Sequence, residues 1–378
     1  MTENSLALYM HFPFCLKKCG YCSFVSYTNK LEHIPDYVNC LKKEIKLRTD
    51  GLCFHSLYFG GGTPSLLSPA QIADIISGIK TSARILPDAE VTLEANPGTL
   101  TLRYLEQINR LGINRLSLGI QSFSDAELAV LGRLHNTTQA QDVYKKARAA
   151  GFDNINLDLI YGLPHSTPLS FKTNLNEVLK LAPEHISLYG LTLEEDTPMY
   201  LQVQKGLLPF MDSEIAADQY QLAEEMLDNA GYRHYEISNW AKPGYQSLHN
   251  LTYWQNRPYL GLGVAGHSFF QNCRTANDIN LDEYLFCWQN NCPPKPSENI
   301  YVDLANQLAE TIILGLRLDK GITAEDIENR FGLCVMDVYY PQIQECVELG
   351  LLEEHDRCIR LTPRGRLLSN EVFWRFLP

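Results

Sequence analysis

Two hydrophobic periods alternate along the first 240 residues. Short runs rich in apolar, β-branched and aromatic residues fall at Leu6–Phe12, Ser56–Phe59, Glu90–Glu94, Arg115–Ile120, Asn154–Ile160 and His185–Leu191, a spacing and composition that predict strands. Between them the apolar positions recur at helical spacing. In Gln71–Lys80 isoleucines stand at 72, 75, 76 and 79, and in Asp36–Arg48 the apolar positions are 37, 38, 41 and 45, each a stripe down one face of a helix. Strand and helix in repeated alternation predict parallel strands joined by right-handed crossovers. A doubly wound sheet and a partial barrel both satisfy that rhythm, and the polar residues decide between them. The runs end, in order, in a cysteine cluster, in Gly60-Gly-Gly-Thr-Pro64, in Glu94-Ala-Asn-Pro97, in Gln121-Ser122, in Asp158 and Tyr161, and in Thr192. A doubly wound sheet gathers its chemistry at one switch point. A barrel gathers it from the C-terminal ends of successive strands. The expected fold is α/β, an open partial (β/α)6 TIM-like barrel over residues 1–238.

From 239 to 300 the rhythm disappears and prolines accumulate (Pro243, Pro258, Pro293, Pro294, Pro296), so this stretch is expected to be an irregular connecting segment. Residues 301–378 start a new pattern. Leu304–Leu316 is helical, Thr323-Ala-Glu-Asp is a capping box, Val338–Leu349 is helical, and LLEEHDRCIRL has the form of a hairpin. Three helices and a hairpin predict a winged-helix-like C-terminal domain. It holds eight Lys plus Arg against thirteen Asp plus Glu, a balance that favours a packing or lid role over DNA binding.

The whole chain has 32 Lys plus Arg and 44 Asp plus Glu, a net charge of −12, so nucleic acid and anionic membrane are not expected as partners. No apolar run reaches the ~18 residues of a membrane span. The first fourteen residues lack the basic n-region of a signal peptide, and the expected location is the cytoplasm. Eleven cysteines, an odd number, argue against a disulfide framework. Eight are scattered and expected to be buried small hydrophobes. Cys15, Cys19 and Cys22 are bunched as C-x3-C-x2-C after the first strand. Three thiolates within eight residues can converge on one metal centre. A zinc site would need a fourth ligand, for which His11 is the neighbouring candidate. A [4Fe–4S] cluster held by three cysteines leaves one iron open.

C-x3-C-x2-C with Tyr21 before the last cysteine, followed by a Gly-Gly-Thr-Pro turn after the next strand, resembles the radical SAM superfamily. In that superfamily the open iron chelates S-adenosylmethionine (SAM), which the reduced cluster cleaves. The resemblance narrows with Tyr9-Met-His-Phe-Pro-Phe-Cys15, Tyr58-Phe-Gly-Gly-Gly-Thr-Pro-Ser65, Leu93-Glu-Ala-Asn-Pro97, Gly119-Ile-Gln-Ser-Phe123 and Asp158-Leu-Ile-Tyr-Gly-Leu-Pro164. These are similar to the oxygen-independent coproporphyrinogen III oxidase-like branch, over nearly the whole chain. The resemblance implies SAM contacts at Tyr9, Gly62, Thr63, Glu94, Gln121, Arg133 and Asp158. Carboxylates can accept from the ribose or the ammonium group, Gln121 can donate and accept, and Arg133 can pair the carboxylate.

The oxidases of this branch resemble C-x3-C-x2-C-x-C, and Phe24 stands where the further cysteine would be. They also carry a longer N-terminal extension, whereas eight residues precede Tyr9 here. Both departures resemble the heme-chaperone group of the branch, as does His249-Asn-Leu-Thr-Tyr-Trp254, in whose counterpart the histidine is implicated in heme binding. An imidazole is a good axial ligand for heme iron. His267 and Cys273 are further candidates. The resemblance thus implies a heme chaperone with a [4Fe–4S] cluster, SAM and heme, an apo-heme acceptor protein, an electron donor for the cluster, and a homodimer among the conceivable assemblies. Radical decarboxylation of coproporphyrinogen III is the alternative, and a zinc-stabilised scaffold the third reading. Gly261-Leu-Gly-Val-Ala-Gly266 matches a dinucleotide fingerprint, but its extended, Pro-preceded context predicts a turn, one that could let backbone approach a ligand.

Overall fold

The computed structural model describes residues 5–378; the first four, part of the stretch scanned for a leader, lie outside it. Six parallel strands follow in chain order: β1 (Leu6–Phe12), β2 (Cys53–Gly61), β3 (Arg84–Ala95), β4 (Arg115–Gln121), β5 (Ile155–Tyr161) and β6 (His185–Gly190). Each is hydrogen-bonded to the next. The returns are made by α1 (Ile34–Arg48), α2 (Pro69–Ser82), α3 (Leu102–Arg110), α4 (Asp125–Leu131), α5 (Thr137–Ala149) and α6 (Pro168–Leu181).

The strands are covered on both faces, as in parallel sheets generally: β1 is buried at every position but Tyr9. Helix α2 shows how the sequence sets an element. Ser68 caps its N-terminus in a reciprocal capping box with Gln71, Pro69 opens it, and all four isoleucines of the stripe are buried. Burial of each side chain is worth about 1.5–3 kcal/mol, so the stripe far outweighs the weak helix propensity of a β-branched run. Strands β2 and β3 are longer than the apolar runs that predict them: β2 begins three residues earlier, at Cys53-Phe-His, and β3 six earlier, at Arg84-Ile-Leu, where Pro87 and Asp88 interrupt the pattern.

Past β6 come α7 (Pro198–Gln204), α8 (Ser213–Asn229), β7 (Arg233–Glu236) and β8 (Asn239–Ala241), the last antiparallel to β6. The segment 239–300 is not the irregular connection its prolines suggest. It holds α9 (Leu248–Trp254), β9 (Tyr259–Leu262), β10 (His267–Phe270), β11 (Cys273–Ala276), α10 (Leu281–Gln289) and β12 (Glu298–Tyr301). Strand β9 joins the free edge of β1 in parallel, with Ala7 opposite Tyr259, and β10 to β12 continue the sheet. The partial barrel is therefore part of a twelve-stranded sheet. The Gly261–Gly266 stretch runs from the end of β9 into the turn before β10, and a Cβ on Gly261 would collide with the backbone of His267. The close approach there is between the chain's own strands.

The C-terminal part contains α11 (Leu304–Gly315), β13 (Ile322–Thr323), α12 (Ala324–Phe331), α13 (Val335–Glu348), β14 (Leu352–His355) and β15 (Cys358–Leu361). Helix α13 is kinked at Tyr339, just before Pro341, which cannot donate its share of the helical ladder. The three short strands form one small sheet over a separate apolar core, the winged-helix-like arrangement. Among the described residues no helix is long and apolar enough to cross a membrane.

Candidate functional site

A cavity of about 430 Å³ opens at the C-terminal ends of the parallel strands, lined by Cys15, Cys19 and Cys22 together with Gly62, Glu94, Gln121 and Asp158. Backbone hydrogen bonds fix the cysteine loop. Cys15 N donates to Tyr27 O (3.0 Å), Gly20 N to Leu131 O of α4 (3.2 Å), and Met199 N of α7 to Gly20 O (2.8 Å). All three thiols are free and partly exposed. Two donors address their sulfurs: Thr63 Oγ1 to Cys15 Sγ and Arg133 Nη1 to Cys19 Sγ, both at 3.5 Å. His11 does not join them. Its Nε2 is bonded to Val25 O (2.9 Å) and its Nδ1 to the Tyr9 hydroxyl (3.1 Å), so the fourth zinc ligand suggested by sequence is engaged elsewhere. Of the eight scattered cysteines only Cys40 and Cys346 are buried; Cys292 is exposed and the rest are intermediate.

Gly62 brings backbone against this loop. A Cβ there would stand 2.7 Å from Phe14 O and 3.0 Å from Cys15 Sγ, closer than van der Waals contact allows, so this position admits only glycine without displacing the cysteine. Glu94, at the end of β3, accepts from Tyr58 Oη (2.8 Å) and Gly61 N (3.2 Å). Burial, reinforced by the charge of Asp158, raises its pKa to about 7 against the favourable hydrogen bonds. Asp158, in the middle of β5, accepts from Asn156 Nδ2 (2.7 Å) and Ser117 Oγ (3.1 Å), and burial raises its pKa as well. Gln121 ends β4 with φ of 70°, a left-handed conformation that a residue with a Cβ rarely holds except where the surroundings impose it. Its Oε1 is buried without a partner, as is Nε of Arg133. Unpaired buried polar atoms are costly, and both belong to residues lining the cavity, so a polar ligand there would satisfy them.

Six of the seven residues expected to contact SAM thus line one cavity with the cysteines: Gly62, Thr63, Glu94, Gln121, Arg133 and Asp158. Tyr9 is the exception. It sits mid-strand in β1, with its ring against Tyr58 at 5.9 Å. Arg133 also departs from the strand-end rule. It follows α4, past the left-handed Gly132, and reaches back to Gly119 O (2.6 Å) and to Asn96 Oδ1. Asn96 was not singled out from sequence. It joins Arg133 to Thr63, donating to Thr63 Oγ1 at 2.9 Å, and its place in Glu94-Ala-Asn-Pro97 was the available signal. Tyr58 and Ser117 were likewise missed, and nothing in the sequence marks Ser117. Phe24 lines the mouth and is 67% exposed.

His249 lies elsewhere. It is on α9, 1% exposed, with Nδ1 bonded to Ser56 Oγ (2.9 Å) and Nε2 to Tyr253 Oη (2.8 Å). Burial, then the nearby His55 and Arg115, lowers its pKa to about 3, so the ring is neutral near pH 7. His267 opens β10 and is exposed, and Cys273 opens β11 and is partly exposed.

An open α/β barrel with a C-x3-C-x2-C loop at its mouth defines a radical SAM protein, and the radical SAM superfamily profile matches residues 9–178. The HemN C-terminal domain profile matches residues 302–368. The chain is 33% identical to the heme chaperone HemW of Bacillus subtilis over 98% of both chains, and 33% identical to that of Escherichia coli, again over 98% of both. It is 34% identical to the mitochondrial radical S-adenosyl methionine domain-containing protein 1 of Mus musculus, over 100% of this chain and 88% of that one. Among solved structures, the coproporphyrinogen III oxidase HemN of Escherichia coli superposes with a TM-score of 0.87 at 26% identity, covering 99% of this chain and 90% of the other. The chain belongs to the heme chaperone HemW family of the radical SAM superfamily. Its cofactors are accordingly a [4Fe–4S] cluster and SAM. The residues present fit them: three free thiols for iron, a glycine where a Cβ would crowd the cysteine loop, and unpaired buried polar atoms on two residues that line the cavity.

Proposed function

We propose that the protein is a cytoplasmic heme chaperone. It holds a [4Fe–4S] cluster on Cys15, Cys19 and Cys22, binds SAM in the cavity beside it, takes up heme, and passes the heme to an apo-acceptor protein. An electron donor reduces the cluster. What carries this reading is similarity from end to end, both profiles included, to proteins named heme chaperones. Phe24 sets it against the oxidase alternative, because a phenyl group at the mouth cannot supply the thiol of the oxidase pattern. The test is transfer. Protein reconstituted anaerobically and loaded with heme is mixed with a candidate apo-acceptor, and the acceptor's own Soret band should appear faster than from free heme. Transfer no faster than from free heme would exclude the chaperone role.

When bound, SAM is anchored by its polar groups, and this chain offers Gly62, Thr63, Glu94, Gln121, Arg133 and Asp158 for that purpose. Cys15, Cys19 and Cys22 supply the thiolates of the cluster, and Arg133 places positive charge beside Cys19. Glu94 gives a pH signature. Its pKa is raised to about 7, so it carries a proton below that pH and accepts hydrogen bonds on both oxygens only above it. SAM affinity should rise from pH 6 to pH 8, with a slope approaching tenfold per unit below 7. Binding followed by equilibrium dialysis should lose that slope in Glu94→Gln. A slope that persists in the variant would remove Glu94 from the site.

His249 is the residue proposed to hold heme, and its ring would supply a nitrogen to the iron. Its neutral ring is the form that binds iron, but in this conformation both nitrogens are engaged. Ligation requires one of them to leave Ser56 or Tyr253.

A further inference from the structure

The short helix that carries His249 is anchored at both ends. At its start, Glu90 of β3 accepts from Ser247 Oγ (3.2 Å), Leu248 N (3.1 Å) and His249 N (3.1 Å), and Arg115 of β4 stands 3.9 Å from that carboxylate. At its end, Arg330 of α12 donates to Gln255 O (3.0 Å) and Asn256 O (2.6 Å). Asn256 Nδ2 donates to Thr311 Oγ1 of α11 (3.0 Å), and the Arg317 guanidinium lies 4.4 Å from the Trp254 ring centroid. The helix is a strut between the strands of the barrel and the C-terminal domain, and the His249 ring projects from it onto Tyr58 of β2.

That ring is stacked on Tyr58, with centroids 4.8 Å apart and planes 29° apart. Tyr9 covers Tyr58 at 5.9 Å. Ser56 and Tyr253 fix the imidazole through its two nitrogens, so its plane cannot rotate without breaking a buried hydrogen bond. Tyr58 is thereby confined, and its hydroxyl meets Glu94 Oε1 at 2.8 Å. Tyr58 and Glu94 both line the cavity; His249 does not.

We infer that His249 is a positioning residue for the SAM cavity: stacked on Tyr58, it holds the Tyr58 hydroxyl against Glu94, and so sets the orientation of the carboxylate that meets the ligand. The inference rests on the assignment of SAM to this cavity. Its test separates the two. The SAM dissociation constant is measured by equilibrium dialysis on cluster-loaded wild type, His249→Ala, Tyr58→Phe and the double variant, with iron and sulfide content confirming that each is loaded. His249→Ala and Tyr58→Phe should each weaken SAM about tenfold, the effect of losing one oriented hydrogen bond to a charged group. The double variant should be no weaker than Tyr58→Phe alone, because both changes remove the same contact. Losses that multiply to about a hundredfold would show that His249 does not act through Tyr58 and would overturn the inference, as would a His249→Ala affinity equal to wild type. His249→Phe, which keeps an aromatic face and the core volume, should recover most of the affinity; an affinity as weak as that of the alanine variant would also overturn it. Failure of wild type to bind SAM would overturn the cavity assignment itself.

Discussion

Replacing any one of Cys15, Cys19 or Cys22 with alanine should abolish the broad iron–sulfur absorbance of anaerobically reconstituted protein. The loop offers three free thiols around one cavity wall, and its path is tied down by hydrogen bonds to Tyr27, Leu131 and Met199. A loop fixed in this way cannot slide another residue into a vacated position. The scattered cysteines cannot substitute, because none of the eight lines the cavity; Cys40 is on α1 with its thiol toward Leu285 O, and Cys346 is in the core of the C-terminal domain. Two thiolates do not hold a cluster that three bind with one open iron, so the loss should be nearly complete in each variant. Cys40→Ala is the matched control and should keep the absorbance. Full iron and sulfide in all three single variants would show that the cluster is held elsewhere.

The barrel was legible because its strands are buried on both faces and announce themselves as apolar runs: β1 spans the same residues, Leu6–Phe12, that the pattern marks. The strands of 239–300 were not. β9, β10, β11 and β12 have four residues each, too few for a period to show, and β9 finds its partner β1 from some 250 residues away, a pairing that local sequence cannot encode. The same contrast holds in the cavity. Glu94 and Gln121 could be read from their places at strand ends, where barrels build their sites. Arg133 and Asn96 could not be joined to each other by that rule, because one arrives from beyond a helix and their contact exists only in three dimensions. His249 shows the limit most plainly. Its motif pointed to an available imidazole, and only the structure shows the ring enclosed by Ser56, Tyr58 and Tyr253.

That enclosure shapes the last expected result, which concerns heme. Titration of His249→Ala with heme should give a weaker or shifted Soret band than wild type, because loss of an axial ligand changes the coordination of the iron. Wild-type binding through His249 should also oppose SAM. One imidazole cannot hold its place on Tyr58 and turn a nitrogen to iron at the same time, so heme should weaken SAM binding, and SAM should weaken heme binding by the same factor, as linkage requires. A Soret band unaltered in His249→Ala would move the ligand elsewhere, with His267 and Cys273 the next substitutions; heme and SAM affinities independent of each other in wild type would mean that heme leaves the His249 ring in place. The same preparation settles the alternative activity. Reduced protein with SAM and coproporphyrinogen III should yield no protoporphyrinogen, since Phe24 stands at the mouth where the oxidase pattern has a cysteine, and catalytic turnover would replace the chaperone reading with the oxidase one.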